Sequence, residues 1–280
     1  MNCLRFLCVA LVLLMSPVDV RAADRPVIPN FWDSQERMIR PNLKGLRRLK
    51  FLTTTDFPPF SYVDEDKRLV GFHIDLARAI CQELELIEVC QIQALPFGEL
   101  QQALASRRGE AVLAGVAVSA SSRLVYDFSR PYFRMPARFV ARKDAGLEEP
   151  LVESLSGKMI GVVHNTSHAA FARQFFDDMQ VRLFSNQDAM LNALRAKKIE
   201  AAFSDALALS FWLQRRNGSV CCSFAGKPYL NEQYFGRGLA IGLAKGSPDL
   251  REGIDFALRS ISDKGIFAEL YLRYFPISLY

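Results

Sequence analysis

Apolar and polar positions alternate along this chain in two rhythms that trade places repeatedly. Short apolar runs with the strand period of two are followed by stretches in which apolar residues recur at three- and four-residue spacing, the mark of an amphipathic helix. Leu49–Thr54 reads as a strand, followed by the loop Thr55–Phe60 and a turn at Asp64–Lys67. Asp75 reads as an N-cap for a helix carrying Leu76, Ala79, Ile80 and Leu84. A short strand near Val89–Gln93 and a helix over Glu99–Ser106 come next. Later come strands at Ala137–Arg142, Lys158–Val163, Val181–Phe184 and Leu239–Ala244. The helices of this half fall at Phe171–Met179, Gln187–Ala196 and Leu207–Arg215. Ser247 with Pro248 starts a further helix marked by Leu250, Ile254, Leu258 and Ile261, Gly265 stops it, and a last one carries Phe267, Leu270, Tyr271 and Tyr274.

Within this alternation two segments echo each other. Ala103–Gly115 and Ala193–Asp205 each read as a helix end with basic residues in its last turn, a tight turn, and a short apolar strand. The first strand terminates in Gly115 and the second in Asp205. In open α/β sheets ligands sit beyond the carboxyl ends of strands. The echo therefore predicts two similar lobes that point strand ends at a shared cleft, although ordinary helix–strand junctions have the same look. The fold class expected is α/β, two-lobed, each lobe a mostly parallel sheet flanked by helices, with a two-strand hinge.

The amino terminus changes the picture of compartment. Residues 1–22 hold Arg5, an apolar core from Phe6 to Met15 and a small-residue cleavage pattern at Val20-Arg21-Ala22, as in a secretory signal peptide. The apolar run is short of the ~20 residues a membrane span needs. A soluble, exported protein cleaved near Ala22 is expected. Residues 23–48, rich in proline and charge and containing Trp32, read as an irregular N-terminal extension. The first lobe is expected over 49–136 and 236–280, the second over 137–235.

Charge excludes one class of partner. Removing Arg5, Arg21 and Asp19 with the signal leaves 33 basic against 29 acidic residues, evenly scattered, which is too mild for nucleic acid. Export permits disulfides. Cys81 on a helix and Cys90 at the start of the next strand are placed to bridge, whereas Cys221 and Cys222 would face opposite sides of a strand and their state stays open. No cysteine or histidine pattern resembles a metal site: His164 and His168 are four apart, but His164 falls in a loop. His73 reads as structural.

Several motifs in order carry a family resemblance. Asp56-Phe57-Pro58-Pro59-Phe60, Leu69-Val70-Gly71-Phe72-His73-Ile74-Asp75-Leu76-Ala77, Tyr126-Asp127-Phe128-Ser129-Arg130-Pro131-Tyr132, and Ser262-Asp263-Lys264-Gly265-Ile266-Phe267 through Tyr274-Phe275 resemble the amino-acid-type (family 3) periplasmic solute-binding proteins of ABC transporters. The likeness runs from about Leu49 to Phe275; His73 stands where the family usually has an acidic residue. It implies hinge closure on a small amino-acid-like solute, recognition by an ABC permease in the inner membrane, a monomer, and neither cofactor nor covalent chemistry. Two other readings stand beside it: an enzyme on the same fold of the cyclohexadienyl-dehydratase kind, and an exported sensor or interaction module.

The resemblance also assigns the site. Phe57 and Phe97 fall where aromatic rings pack on the ligand, or else are plain core. Asp205 falls where an acidic residue pairs with the ligand ammonium, and it is equally placed to cap the next helix. Thr166 and Ser167 open a helix whose backbone N–H groups favour a carboxylate, or simply cap it. Ala114 and Gly115 match the small-residue pair after the first echo strand, and Ser119 lies in the loop beyond. Ala117 stands where a hydroxyl residue belongs, and Ser122 where an arginine normally clamps the ligand carboxylate, with Arg123 one place later. Either the loop Ser119–Ser122 absorbs the offset and Arg123 reaches the cleft, or the ligand is not a standard α-amino acid.

Overall fold

The computed structural model describes residues 38–275 and 277–280 together with Ile28 and Asp33, the side chain of Asn217 excepted. The expected signal segment 1–22 and Trp32 lie outside the described residues.

Thirteen strands appear among the described residues. In the first half they are β1 (Leu49–Thr53), β2 (Asp56–Phe57), β3 (Ser61–Val63), β4 (Leu69–Val70), β5 (Cys90–Ala94), β6 (Ala111–Val112) and β7 (Tyr126–Phe128). In the second they are β8 (Ala137–Arg142), β9 (Met159–Val163), β10 (Gln180–Phe184), β11 (Ala201–Asp205), β12 (Cys222–Tyr229) and β13 (Gly242–Ala244). They assemble into two five-stranded sheets, β5-β1-β6-β13-β7 and β10-β9-β11-β8-β12, plus a small antiparallel sheet β2-β3-β4. In each large sheet four strands share one direction and the fourth in the order, β13 or β8, runs against them. Each reversed strand is the one that arrives from the other lobe: β8 follows β7 of the first sheet, and β13 follows β12 of the second. Two helix-flanked, mostly parallel sheets with two crossings follow from the sequence pattern.

The echo is structural over the helix exits and the strand starts. Ala111 pairs with Phe51 and Val112 with Leu52; Ala201 pairs with Ile160 and Ala202 with Gly161. Both helices exit through the same hydrogen-bonded cap. The amides of Arg107 and Arg108 donate to Leu104 and Ala103, and those of Lys197 and Lys198 to Leu194 and Ala193. Arg107 and Lys197 are both left-handed, with φ of 56° and 59°. The paired basic residues therefore form the exit turn itself, one step beyond the last helical turn, because the left-handed cap needs two residues past the helix end.

One expected cap is corrected. The helix starts at Phe72, so Asp75 sits within its first turn. The carbonyls of Pro59 and Phe60 accept the amides of Phe72 and His73 at 3.0 and 2.7 Å, so the loop supplies the cap. Asp75 is left to take Tyr274 Oη at 2.7 Å and Arg273 at 3.0 Å, tying this helix to the last one, Ile266–Tyr274.

Apolar residues from strands, helices and loops fill the cores. The first lobe buries Phe51, Phe60, Phe72, Phe133 and Phe275 together, and the second buries Phe139, Phe171, Phe176 and Phe203. Leu43 and Leu46 of the extension pack on the first-lobe core. Cys81 and Cys90 form the expected disulfide. Cys221 and Cys222 are also bonded to one another: Cys221 ends a helix, so strand alternation does not separate their side chains.

Candidate functional site

The carboxyl ends of β1 and β6 lie side by side in one sheet, and those of β9 and β11 in the other. Four short segments leave those ends and carry Phe57, Ala114, Gly115, Ser119, Thr166, Ser167 and Asp205, while Phe97 follows β5. Gly115 follows β6 by three residues, whereas Asp205 is the last residue of β11. Phe57 lies directly over Gly115: a Cβ built there would stand 2.6 Å from the ring's Cε1 carbon, and the backbone has φ +72°. Only glycine fits both constraints. Phe57 also stacks on Phe60, with centroids 4.7 Å apart, which fixes the ring from behind.

Asp205 ends β11 and its Oδ1 accepts the amide of Ala208 at 2.9 Å, capping the helix Ala206–Gln214. Burial pushes its carboxyl above the usual carboxylate range, opposed only by amides of that helix start. It stands between the lobes. The amide of Ala206 donates to Pro136 O in the first crossing at 2.9 Å, and Ala206 and Leu207 pack in the first-lobe core.

Thr166 caps the helix Ser167–Phe175. Its hydroxyl donates to Val163 O at 2.7 Å and accepts the amide of Ala169 at 3.2 Å, so its proton is committed to the cap. Ser167 is the exposed first residue of that helix. His168 packs face to face on Phe235, and burial lowers its pKa to about 4. His164 is exposed in the loop, and no cluster of potential metal ligands occurs among the described residues.

Phe97 is 55% exposed just beyond β5, free to meet something from solution. Ala114 is 4% exposed with its side chain in the core beside Leu52 and Tyr126, so only its backbone is available to a ligand.

Arg123 lines a hollow that it shares with Val118 and with Arg134 of the first crossing. Ser122 turns inward: its hydroxyl donates to Ala117 O at 2.7 Å and accepts the amide of Ser119 at 2.9 Å. Ser119 bonds back to Ser121 and Ser122, closing a compact serine turn. Arg123 is exposed beside two adjoining hollows of about 490 and 340 Å³, both lined by Ser129 and Pro131 beyond β7. With β13 between β6 and β7, that is roughly 10 Å along the sheet from the end of β6. The smaller hollow also takes Arg134, Glu232 and Arg237 from the crossing segments.

Sequence reasoning did not foresee the tail Ile277–Tyr280. Ile277 packs on the second-lobe core while Leu279 is buried in the first, so the tail bridges the lobes. Tyr280 donates to Arg134 O, and the nearby Asp205 charge adds to the burial that raises its phenol. No periodicity marks this segment; its hydrophobic residues become meaningful only once the two lobes are in place.

Two lobes, each presenting strand ends across a double crossing, define a two-lobed binding protein of the periplasmic type. The chain belongs to the bacterial extracellular solute-binding proteins, family 3, whose family model matches residues 49–277. It is 26% identical over 230 residues to the lysine/arginine/ornithine-binding periplasmic protein of Escherichia coli (strain K12), covering 81% of this chain and 87% of that one. It is 27% identical over 227 residues to the L-arginine-binding protein of Pseudomonas aeruginosa, covering 80% and 86%. The fold matches the unliganded L-cystine solute receptor of Neisseria gonorrhoeae with a TM-score of 0.70 at 17% identity, over 83% of this chain and 94% of that one. No helix among the described residues is long and apolar enough to cross a membrane.

Proposed function

We propose that this chain is a periplasmic receptor that captures a small cationic solute of the amino-acid type by hinge closure and delivers it to an ABC permease of the inner membrane, acting as a monomer and without covalent chemistry. Residues 49–136 with 236–280 form one jaw and 137–235 the other, and residues 1–22 direct export. Asp205 pairs with the ligand's ammonium or guanidinium group, and Phe57 and Phe97 pack on its apolar body. The backbone at Ala114 and Gly115 and the amides at Ser167 approach from the two sheets. The single observation that supports this reading best is Asp205, a carboxylate at the end of β11 whose burial pushes it above the usual carboxylate range and whose neighbour Ala206 bonds to Pro136 O in the first crossing. The names of the relatives, for arginine, lysine and ornithine, agree with a cationic ligand.

Binding raises apparent stability by mass action, so a thermal-shift screen of cationic, neutral and acidic amino acids and their amines tests the reading. A rise in Tm with cationic members, lost in Asp205→Asn, is expected. A rise with acidic members alone would overturn it.

A further inference from the structure

The tail Ile277–Tyr280 holds both lobes at once. Ile277 packs on the second-lobe core that includes Val140, Leu209 and Leu213, whereas Leu279 is completely buried in the first-lobe core. The amide of Leu279 donates to Tyr271 Oη at 3.1 Å, and the Tyr280 hydroxyl donates to Arg134 O in the first crossing. Backbone positions two residues apart are separated by about 7 Å at most. The seam between the lobes therefore passes within a single short step of the chain, between Ile277 and Leu279.

The first crossing is pinned at neighbouring points. Arg134 O accepts from Tyr280, and Pro136 O accepts the amide of Ala206 at 2.9 Å, next to Asp205. Just before them, Phe133 O accepts the amide of Leu239 at 2.7 Å, which ties the two crossings together. Hinge rotation is absorbed by φ/ψ changes in a few residues of this kind. Across the cleft the two faces stand apart: Phe97, Ala117 and Ser119 on one jaw and Asn165 and Ser167 on the other are exposed.

We propose that Ile277–Tyr280 is a strap that holds the empty receptor open, with Tyr280 as a positioning residue for the hinge. This rests on the hinge-closure reading above and names what sets its resting angle. A contact made in only one of two conformations shifts the equilibrium toward that conformation. Closing the jaws turns the second lobe about the crossings, so Ile277 must leave its core, or Leu279 must be drawn from a fully buried place, or the bond from Tyr280 must break. A ligand therefore closes the cleft against the strap, and its apparent affinity is lowered by the fraction of receptor held open.

The test is a distance across the cleft mouth, measured in the full exported chain without ligand. β5 and β10 are the sheet edges furthest from the strands that lead into the crossings. Gln101 follows β5 and Asp188 follows β10, and both are exposed. Nitroxides on unnatural residues in their place leave both disulfides intact, and double electron–electron resonance reads the separation. Ile277→Ala/Tyr280→Phe frees the second lobe and the crossing while Leu279 stays in its core. Wild type is expected to show one long distance, and the double variant an added population at shorter distance. Tyr280→Phe alone removes one hydroxyl and is expected to shift the distribution the same way to a smaller extent, which gives the answer should the double variant not fold. Distributions that superimpose on wild type in both variants overturn the strap. Because no ligand is present, this outcome is independent of the thermal-shift screen, so the strap and the ligand reading fail separately.

Discussion

The ring of Phe57 lies so close over Gly115 that a single added carbon would collide with it, at 2.6 Å from Cε1. The ring cannot retreat, because Phe60 is stacked behind it with centroids 4.7 Å apart. Gly115→Ala therefore meets both a steric conflict and a left-handed backbone that alanine adopts at a cost of about 1–3 kcal/mol. Urea denaturation is expected to show a loss in that range, and calorimetry a weaker ligand affinity from the displaced ring. An alanine variant with unchanged stability and affinity would contradict this placement of Phe57.

Asp205 has two duties that different substitutions separate. Asparagine is as good an N-cap as aspartate, whereas alanine loses the bond to Ala208 N and costs about 1 kcal/mol. Stability is expected to be nearly unchanged in Asp205→Asn and reduced in Asp205→Ala, while both lose about tenfold or more in affinity for a cationic ligand. Parallel melting curves and titrations check it. Equal affinity of Asp205→Asn and wild type would leave the carboxylate with its capping role only.

How much of this was legible in the chain depends on whether the signal is local. The repeated segment was readable because a helix, its exit turn and a buried strand are all fixed by neighbouring residues; the match holds over the exit turns and the strand starts Ala111–Val112 and Ala201–Ala202. β12 was not readable. Gly226, Lys227 and Pro228 break its apolar rhythm, and it is held by pairing with β8, whose register shifts between Ala225 and Tyr229. Asp75 misled because its helix is capped by carbonyls of a loop more than ten residues earlier, which no local pattern shows. At the arginine offset, spacing could state that Ser122 stands in the clamp position, and only the structure shows its hydroxyl spent on Ala117 O and Ser119 N.

The bond between Cys81 and Cys90 closes a short loop that joins the helix Phe72–Glu83 to β5. Chain-entropy reasoning for a sequence separation of 9 residues gives about 2.5 kcal/mol of stabilisation. Replacing both cysteines by alanine is expected to lower the unfolding free energy by about that amount in oxidising buffer. The ligand affinity is expected to hold, because the bridge lies in the first-lobe core away from Asp205. A variant as stable as wild type would show that the loop is already ordered in the unfolded chain.

His73 supplies an acid limit to stability. Its ring is fully buried against Phe60, Phe72 and Tyr132, with Nε2 bonded to Tyr132 Oη at 2.7 Å and Nδ1 without a partner among the described residues. Burial disfavours the charged ring and pulls its pKa from 6.5 down to about 3. The unfolded chain therefore binds a proton that the folded protein refuses between about pH 6.5 and 3. Stability is at its full value above 6.5 and falls as the pH drops through that window, by up to about 1.4 kcal/mol per pH unit for this one group. His168, lowered to about 4 by burial in the other lobe, acts in the same direction. Urea midpoints measured from pH 7 to pH 4 are expected to decline more steeply in wild type than in His73→Gln, which keeps a polar partner for Tyr132 and cannot titrate. Parallel declines in the two proteins would mean that His73 takes up its proton in the folded state, and that its buried neutral ring is not what limits the fold in acid.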